Sequence, residues 1–213
     1  ANGIGDLIEL TEVDLPPMTL TMLMGPLIRF MNDSVPSAVK AAILNSLSII
    51  LKKKYKASKT FVPQLQKAFV KALSDPESID VRTKAGIALG HLMELSLRVD
   101  PLVKDLVANA SAAHHGGNKD VEKAMLAALT SVLTSAGGQV TPPIKISAAQ
   151  GLVATFIDSA ADPDEKAREA AACAIGAIVA CMTEPAGAAH EFLAQMVLRG
   201  FNGGEDRGAW VVL

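Results

Sequence analysis

Hydrophobic residues in this chain fall at helical spacing, and the same spacing returns four times. Val39, Val81, Val121 and Ala167 each open a set. Four residues on stand Ile43, Ala85, Met125 and Ala171; eight on, Leu47, Leu89, Leu129 and Ile175; eleven on, Ile50, Leu92, Val132 and Ile178. Offsets 0, 4, 8 and 11 share one face of an α-helix, because about 3.6 residues complete each turn. The openings are 42, 40 and 46 residues apart, enough for two helices and a turn. Each unit is therefore expected to be a helical hairpin whose second helix carries the template. One hairpin cannot bury its apolar stripe alone; stacking on neighbours does so. A chain built this way usually works by presenting surface.

Punctuation places the hairpins. The predicted helix pairs run over residues 17–33 and 36–54, 62–74 and 79–97, 101–113 and 119–136, and 143–160 and 164–182. A fifth pair begins at 186 and is cut off after 201. The repeats are thus 17–60, 61–99, 100–141, 142–184 and a truncated 185–213. Residues 1–16, with Asp6, Glu9, Glu12 and Asp14 but little apolar spacing, read as a linker or the end of a preceding repeat. Pro63, Pro101 and Pro143 sit at or near first turns, where a missing N–H costs nothing. Asp75-Pro76, Asp162-Pro163 and Gly116-Gly117-Asn118 separate the helices of their pairs, and Gly137-Gly138 ends a helix. Gly25-Pro26 inside the first helix is expected to kink it. The fold class is all-α: a right-handed α-solenoid of about four hairpins plus a truncated fifth, at the HEAT/armadillo period.

Composition narrows the function. The 213 residues are 50% hydrophobic with one Trp and one Tyr, and the net charge of −2 gives no bulk drive toward nucleic acid or acidic membrane. The uncharged runs 15–28 and 170–183 are 14 residues each, short of the ~18–20 a membrane span needs, and the 21-residue run 124–144 is broken by the Gly137-Gly138 stop. The chain opens on Ala1 and stops on an apolar run at 210–213, so a piece of something longer is expected, with self-association through the severed repeat. Cys173 and Cys181 lie eight residues apart on one predicted helix, roughly 12 Å along its axis and too far for a disulfide. They read as reduced core thiols of a cytoplasmic protein.

Catalytic chemistry finds no support in the spacing. His114-His115 stands in a Gly-rich loop with no Cys or carboxylate cluster at ligand spacing, so no metal is expected. Gly86-Ile87-Ala88-Leu89-Gly90 resembles a small-residue motif that permits close helix packing, and no strand precedes a phosphate loop. The four histidines have no spacing logic with Cys173 or any serine. The expectation is a non-enzyme with no cofactor and no small-molecule substrate.

Two stretches look like consensus HEAT repeats: Asp75-Pro76 through Asp80-Val81-Arg82 to Ala88-Leu89-Gly90, and Asp162-Pro163-Asp164 through Ala167-Arg168-Glu169 to Ile175-Gly176. In such repeats the Asp and Arg commonly form a ladder between units. Three further segments are more particular: Met24-Gly25-Pro26-Leu27-Ile28-Arg29, then Phe61-Val62-Pro63-Gln64-Leu65-Gln66-Lys67-Ala68-Phe69-Val70-Lys71-Ala72-Leu73, then Arg98-Val99-Asp100-Pro101-Leu102. In this order they resemble the C-terminal HEAT region of the general-control translational activators, which stimulate the kinase that phosphorylates initiation factor two alpha. The close likeness covers about 21–107; from 108 to 213 it is at the level of the repeat pattern.

That resemblance implies a docking surface for the RWD domain of the kinase, on a protein that reaches the ribosome through its wider length. Arg29, in the matching segment, is the first candidate contact, because a guanidinium on an apolar helix end forms a bidentate pair with a partner carboxylate. The competing role is a salt bridge to Asp33, four residues on. Lys52, Lys53, Lys54, Lys56 and Lys59, with Tyr55 among them, are the dense basic run. They are a secondary surface for an acidic partner or ribosomal RNA, against a solubilising helix end and loop. Arg82 is a third candidate that also fits the ladder. The alternatives to kinase docking are a ribosome-contacting segment acting through the basic loop and a generic HEAT adaptor.

Overall fold

Several helices start where a side chain satisfies a free N–H group. The Ser78 side chain accepts from the Val81 N–H, Asp164 accepts from Lys166, and Asn118 accepts from Val121. Pro63 and Pro101 occupy first turns. The computed structural model describes residues 2–11, 15–32, 35–95, 99–136, 159 and 162–181. Among these lie α1 (Asn2–Leu10), α2 (Pro17–Asn32), α3 (Ser37–Lys52), a short 3-10 helix (Lys56–Phe61), α4 (Val62–Leu73), α5 (Ile79–Met93), α6 (Asp100–His115), α7 (Lys119–Ala136) and α8 (Glu165–Ala180). No strand occurs among the described residues.

The template helices α3, α5, α7 and α8 stack on one another as the inner layer, while α2, α4 and α6 lie outside them. Apart from Ser159, the predicted helix at 143–160 lies outside the described residues, as do the Gly137-Gly138 stop and the truncated fifth repeat. Template positions supply the core: Leu47, Ile50, Val81, Ala85, Leu89, Leu92, Met125, Val132, Ala171 and Ile178 are fully buried. At ~25 cal/mol per Å² of apolar surface removed from water, this continuous layer dominates the stability. Gly90 serves the same packing, since a methyl there would collide with the Ser131 hydroxyl of α7.

Residues 2–10, read as a linker or the end of a preceding repeat, form helix α1, packed along α3 as an inner helix, with Gly5 pressed against Ile49 and Ser46. Three expectations are corrected. Val39 is 41% exposed although it opens a template set. The nine-residue α1 covers only the C-terminal part of α3, reaching Lys53 at its own end, and leaves the first turn bare. Cys173 is exposed rather than core, and Cys181 is half-buried with its thiol pushed up by burial. Helix α2 runs on through Gly25-Pro26, with Pro26 on the exposed side near Met22. Lastly, Gly116-Gly117 is less a loop than a stop. Helix α6 extends to His115, and Gly117 at φ +70° closes it as its N–H bonds the His114 carbonyl.

Candidate partner-binding surface

Each hairpin has a turn edge, where its two helices join, and an opposite edge, where one repeat passes to the next. Charges at the turn edge are paired from repeat to repeat. Lys40 of α3 holds Asp75, in the next repeat's turn, at 3.1 Å. Arg82 of α5 donates to the Asp75 carbonyl at 2.7 Å and faces Asp120 of α7 at 3.6 Å. Lys119 and Lys123 of α7 each hold an acid of the following turn, Asp162 and Asp164, at 2.9 Å. Arg168 bonds the carbonyls of Asp162 and Pro163.

Burial pushes the Asp75 carboxyl up, but the Lys40 ammonium and the N–H groups of Ser78 and Glu77 outweigh it and hold the group below its ordinary value. Burial likewise pushes Asp162 up and is outweighed by the Asp164 N–H and Lys119. Lys123 holds Asp164 low, and Asp164 in turn holds the Lys123 ammonium high.

One rung differs in kind. The position after each template opening holds Lys40, Arg82, Glu122 and Arg168, so repeat three carries a reversed charge. Glu122 is 2% exposed and shares one carboxylate oxygen between His114 Nδ1, at 3.0 Å, and the buried Ser159 hydroxyl. Sequence spacing missed this cluster, because Ser159 lies 37 residues from Glu122. The hydroxyl donates to the carboxylate rather than being activated by the imidazole, which is not the nucleophile–base–orienter order of a hydrolase. No group of three His, Cys, Asp or Glu able to hold a metal is present among the described residues.

Against this frame the sequence candidates separate. Arg82, 5% exposed and bonded within the ladder, has no open guanidinium for a partner and is corrected to a structural rung. Lys53 donates to the carbonyls of Glu9 and Thr11, both at 3.0 Å, tying α1 to the end of α3. Lys54 pairs with Glu94 at 2.7 Å, and that bond holds the Glu94 carboxyl below its ordinary value. Tyr55 is buried beneath the run. Lys52, Lys56 and Lys59 remain exposed.

Arg29 is exposed in the last turn of α2 and makes no ion pair with a described residue; Asp33 lies outside them. Met18, Met22 and Pro26 precede it at three- and four-residue steps, all exposed. Arg29 sits at the turn edge and Lys52 at the opposite edge, separated by the 16-residue length of α3, about 24 Å at ~1.5 Å per residue. The structure therefore does not bring Arg29 and the lysine run into one site.

Stacked two-helix repeats with a paired turn edge define a HEAT-type α-solenoid. A designed armadillo repeat protein, solved in complex with a (KR)4 peptide, shares this fold at a TM-score of 0.51 and 14% identity, over 97% of this chain and 85% of that one. The family model for stalled ribosome sensor GCN1-like HEAT repeats matches residues 100–206, and the chain belongs to that family. The match extends the likeness well beyond 107, into the half where the sequence showed only a repeat pattern.

Stalled ribosome sensor GCN1 of Mus musculus is 36% identical over 184 residues, 86% of this chain and 7% of that protein. The eIF-2-alpha kinase activator GCN1 of Saccharomyces cerevisiae is 40% identical over 141 residues, 66% of this chain and 5% of its own length. Protein ILITYHIA of Arabidopsis thaliana is 40% identical over 146 residues, 68% of this chain and 5% of that one. The chain thus spans 5–7% of the length of these relatives. No described helix is long and apolar enough to cross a membrane.

Proposed function

We propose that this chain is a non-catalytic docking segment of a cytoplasmic, ribosome-associated scaffold. Its partner is the RWD domain of the kinase that phosphorylates initiation factor two alpha. The family supports this reading, since relatives carry the names kinase activator and ribosome sensor. The observation that carries it to a residue is Arg29, an exposed cation ending an apolar strip of α2. Such an arrangement suits a partner offering a carboxylate beside an apolar patch. Holding the kinase domain near the ribosome raises its effective concentration there without any chemistry by the solenoid.

A second reading, ribosomal RNA contact, draws on the exposure of Lys52, Lys56 and Lys59. Calorimetric titration of the RWD domain into this chain separates the two. Docking predicts saturable one-to-one binding, weakened about tenfold or more by Arg29→Ala with the helicity unchanged. Absence of binding by the unaltered chain removes the docking reading, and equal affinity of the Arg29→Ala variant removes that residue from it.

A further inference from the structure

Between Asp33 and Asp75 the chain runs 41 residues without an acid and with eight lysines. Three of these have structural work: Lys40 at Asp75, Lys53 on the α1 carbonyls and Lys54 at Glu94. The other five, Lys52, Lys56, Lys59, Lys67 and Lys71, are exposed and make no ion pair among the described residues. Lys67 and Lys71 stand one turn apart on α4, where like charges repel. Nothing in the packing of α4 requires them, since its core contacts come from Leu65, Ala68, Phe69, Ala72 and Leu73.

Lys67 also lines a groove of about 420 Å³ between the outer helices α4 and α6. Pro63 and Val70 give it an apolar strip and Gln66 an amide on the α4 side; Asp105 and Asn109 form the α6 side. Within the 61–73 segment that carries the family likeness, Pro63 and Lys67 are exposed and Gln66 and Val70 half-buried.

We propose that this groove, with the lysines beside it, seats an acidic amphipathic helix of a protein partner. Its carboxylates lie toward Lys67 and Lys71, its apolar edge lies on Pro63 and Val70, and a donor faces Asp105. The inference rests on the docking reading above and adds to Arg29 a contact on the outer face of the second repeat. A groove between two helices accepts a third in the manner of helix-in-groove recognition. Asp105 favours protein over nucleic acid. A phosphate backbone brings only negative charge to that wall, whereas a partner helix turns an amide or a basic side chain toward it. The aromatic within the 52–59 run, Tyr55, is buried and offers no base-stacking face.

The test is calorimetric titration of this chain with the kinase RWD domain, comparing Lys67→Glu/Lys71→Glu with the unaltered protein and with Arg29→Ala. Single-stranded poly(U) serves as a parallel probe. The proposal expects the double reversal to weaken RWD binding about tenfold or more at low salt, with an unchanged melting temperature. The milder Lys67→Gln/Lys71→Gln pair, which adds no like charge, is expected to lose a few-fold and covers misfolding of the reversal. RWD affinity unaffected by either pair overturns the proposal while leaving Arg29 docking intact. Poly(U) binding that the reversal abolishes, with RWD binding untouched, overturns it in favour of nucleic acid. No RWD binding by the unaltered chain overturns the docking reading and this inference with it.

Discussion

Lys123 and Lys67 show how differently two regions of this solenoid use the same side chain. At the turn edge, Lys123 bridges Asp164 at 2.9 Å and Asp120 at 3.3 Å, and so joins consecutive repeats. On the outer face, Lys67 has no acidic partner among the described residues. The turn-edge charges are matched, with Asp75, Arg82 and Asp162 largely shielded from solvent, so they fix the register of stacking. The outer-face charges contribute little to the fold, and their value must lie in what approaches from solvent. Stability and docking thus reside on separate surfaces, and substitutions can take them apart.

The largest expected break is Arg82→Glu. It sets a carboxylate against the Asp75 carbonyl in a buried position and is expected to cost about 3–5 kcal/mol, read by chemical denaturation. His114→Ala should cost less, about 1–2 kcal/mol, because Glu122 keeps its bond from Ser159 but loses the imidazole. Lys54→Ala, which removes an exposed pair with Glu94, should fall within roughly 0.2–1 kcal/mol. Lys71→Glu, the same kind of reversal as Arg82→Glu but on the open face, should stay within about 0.5 kcal/mol.

Acid sharpens the contrast further. Asp75, Asp162, Asp164 and Glu94 are held below their ordinary values in the folded chain. In the unfolded chain these groups take up protons first, at about pH 4. Their stabilisation is therefore complete above that pH and is lost as pH falls through the lower folded values. A melting temperature followed from neutral pH down should drop below about pH 4, and Asp75→Asn should flatten part of that drop.

Most of the fold was legible because one physical requirement, an apolar stripe at helical period, recurs at nearly constant spacing. The template failed at Val39 because burial there depends on how far α1 reaches along α3, which no local pattern encodes. Cys173 was misplaced by a general preference of cysteine for interiors. Six residues after Ala167 it lies well round the helix from the template face, so the period itself pointed outward. The candidate surface was less legible. Lys53, Lys54 and Arg82 look like free cations in sequence but bond residues at least seven and up to 44 positions away. Glu122 was readable as a reversed charge in the aligned repeats; its serine partner was not.

The most direct test of the account measures, on the same samples, RWD-domain affinity and melting temperature for Arg29→Ala, Lys67→Glu/Lys71→Glu and the unaltered chain. Salt is set at about 50 mM and then about 300 mM, which shortens the screening length more than twofold. The account predicts that both variants melt with the unaltered chain yet bind more weakly, and that the wild-type affinity itself falls with added salt. Equal affinities across the three proteins, or affinities that fall only in step with melting temperature, would contradict the separation of docking from stability.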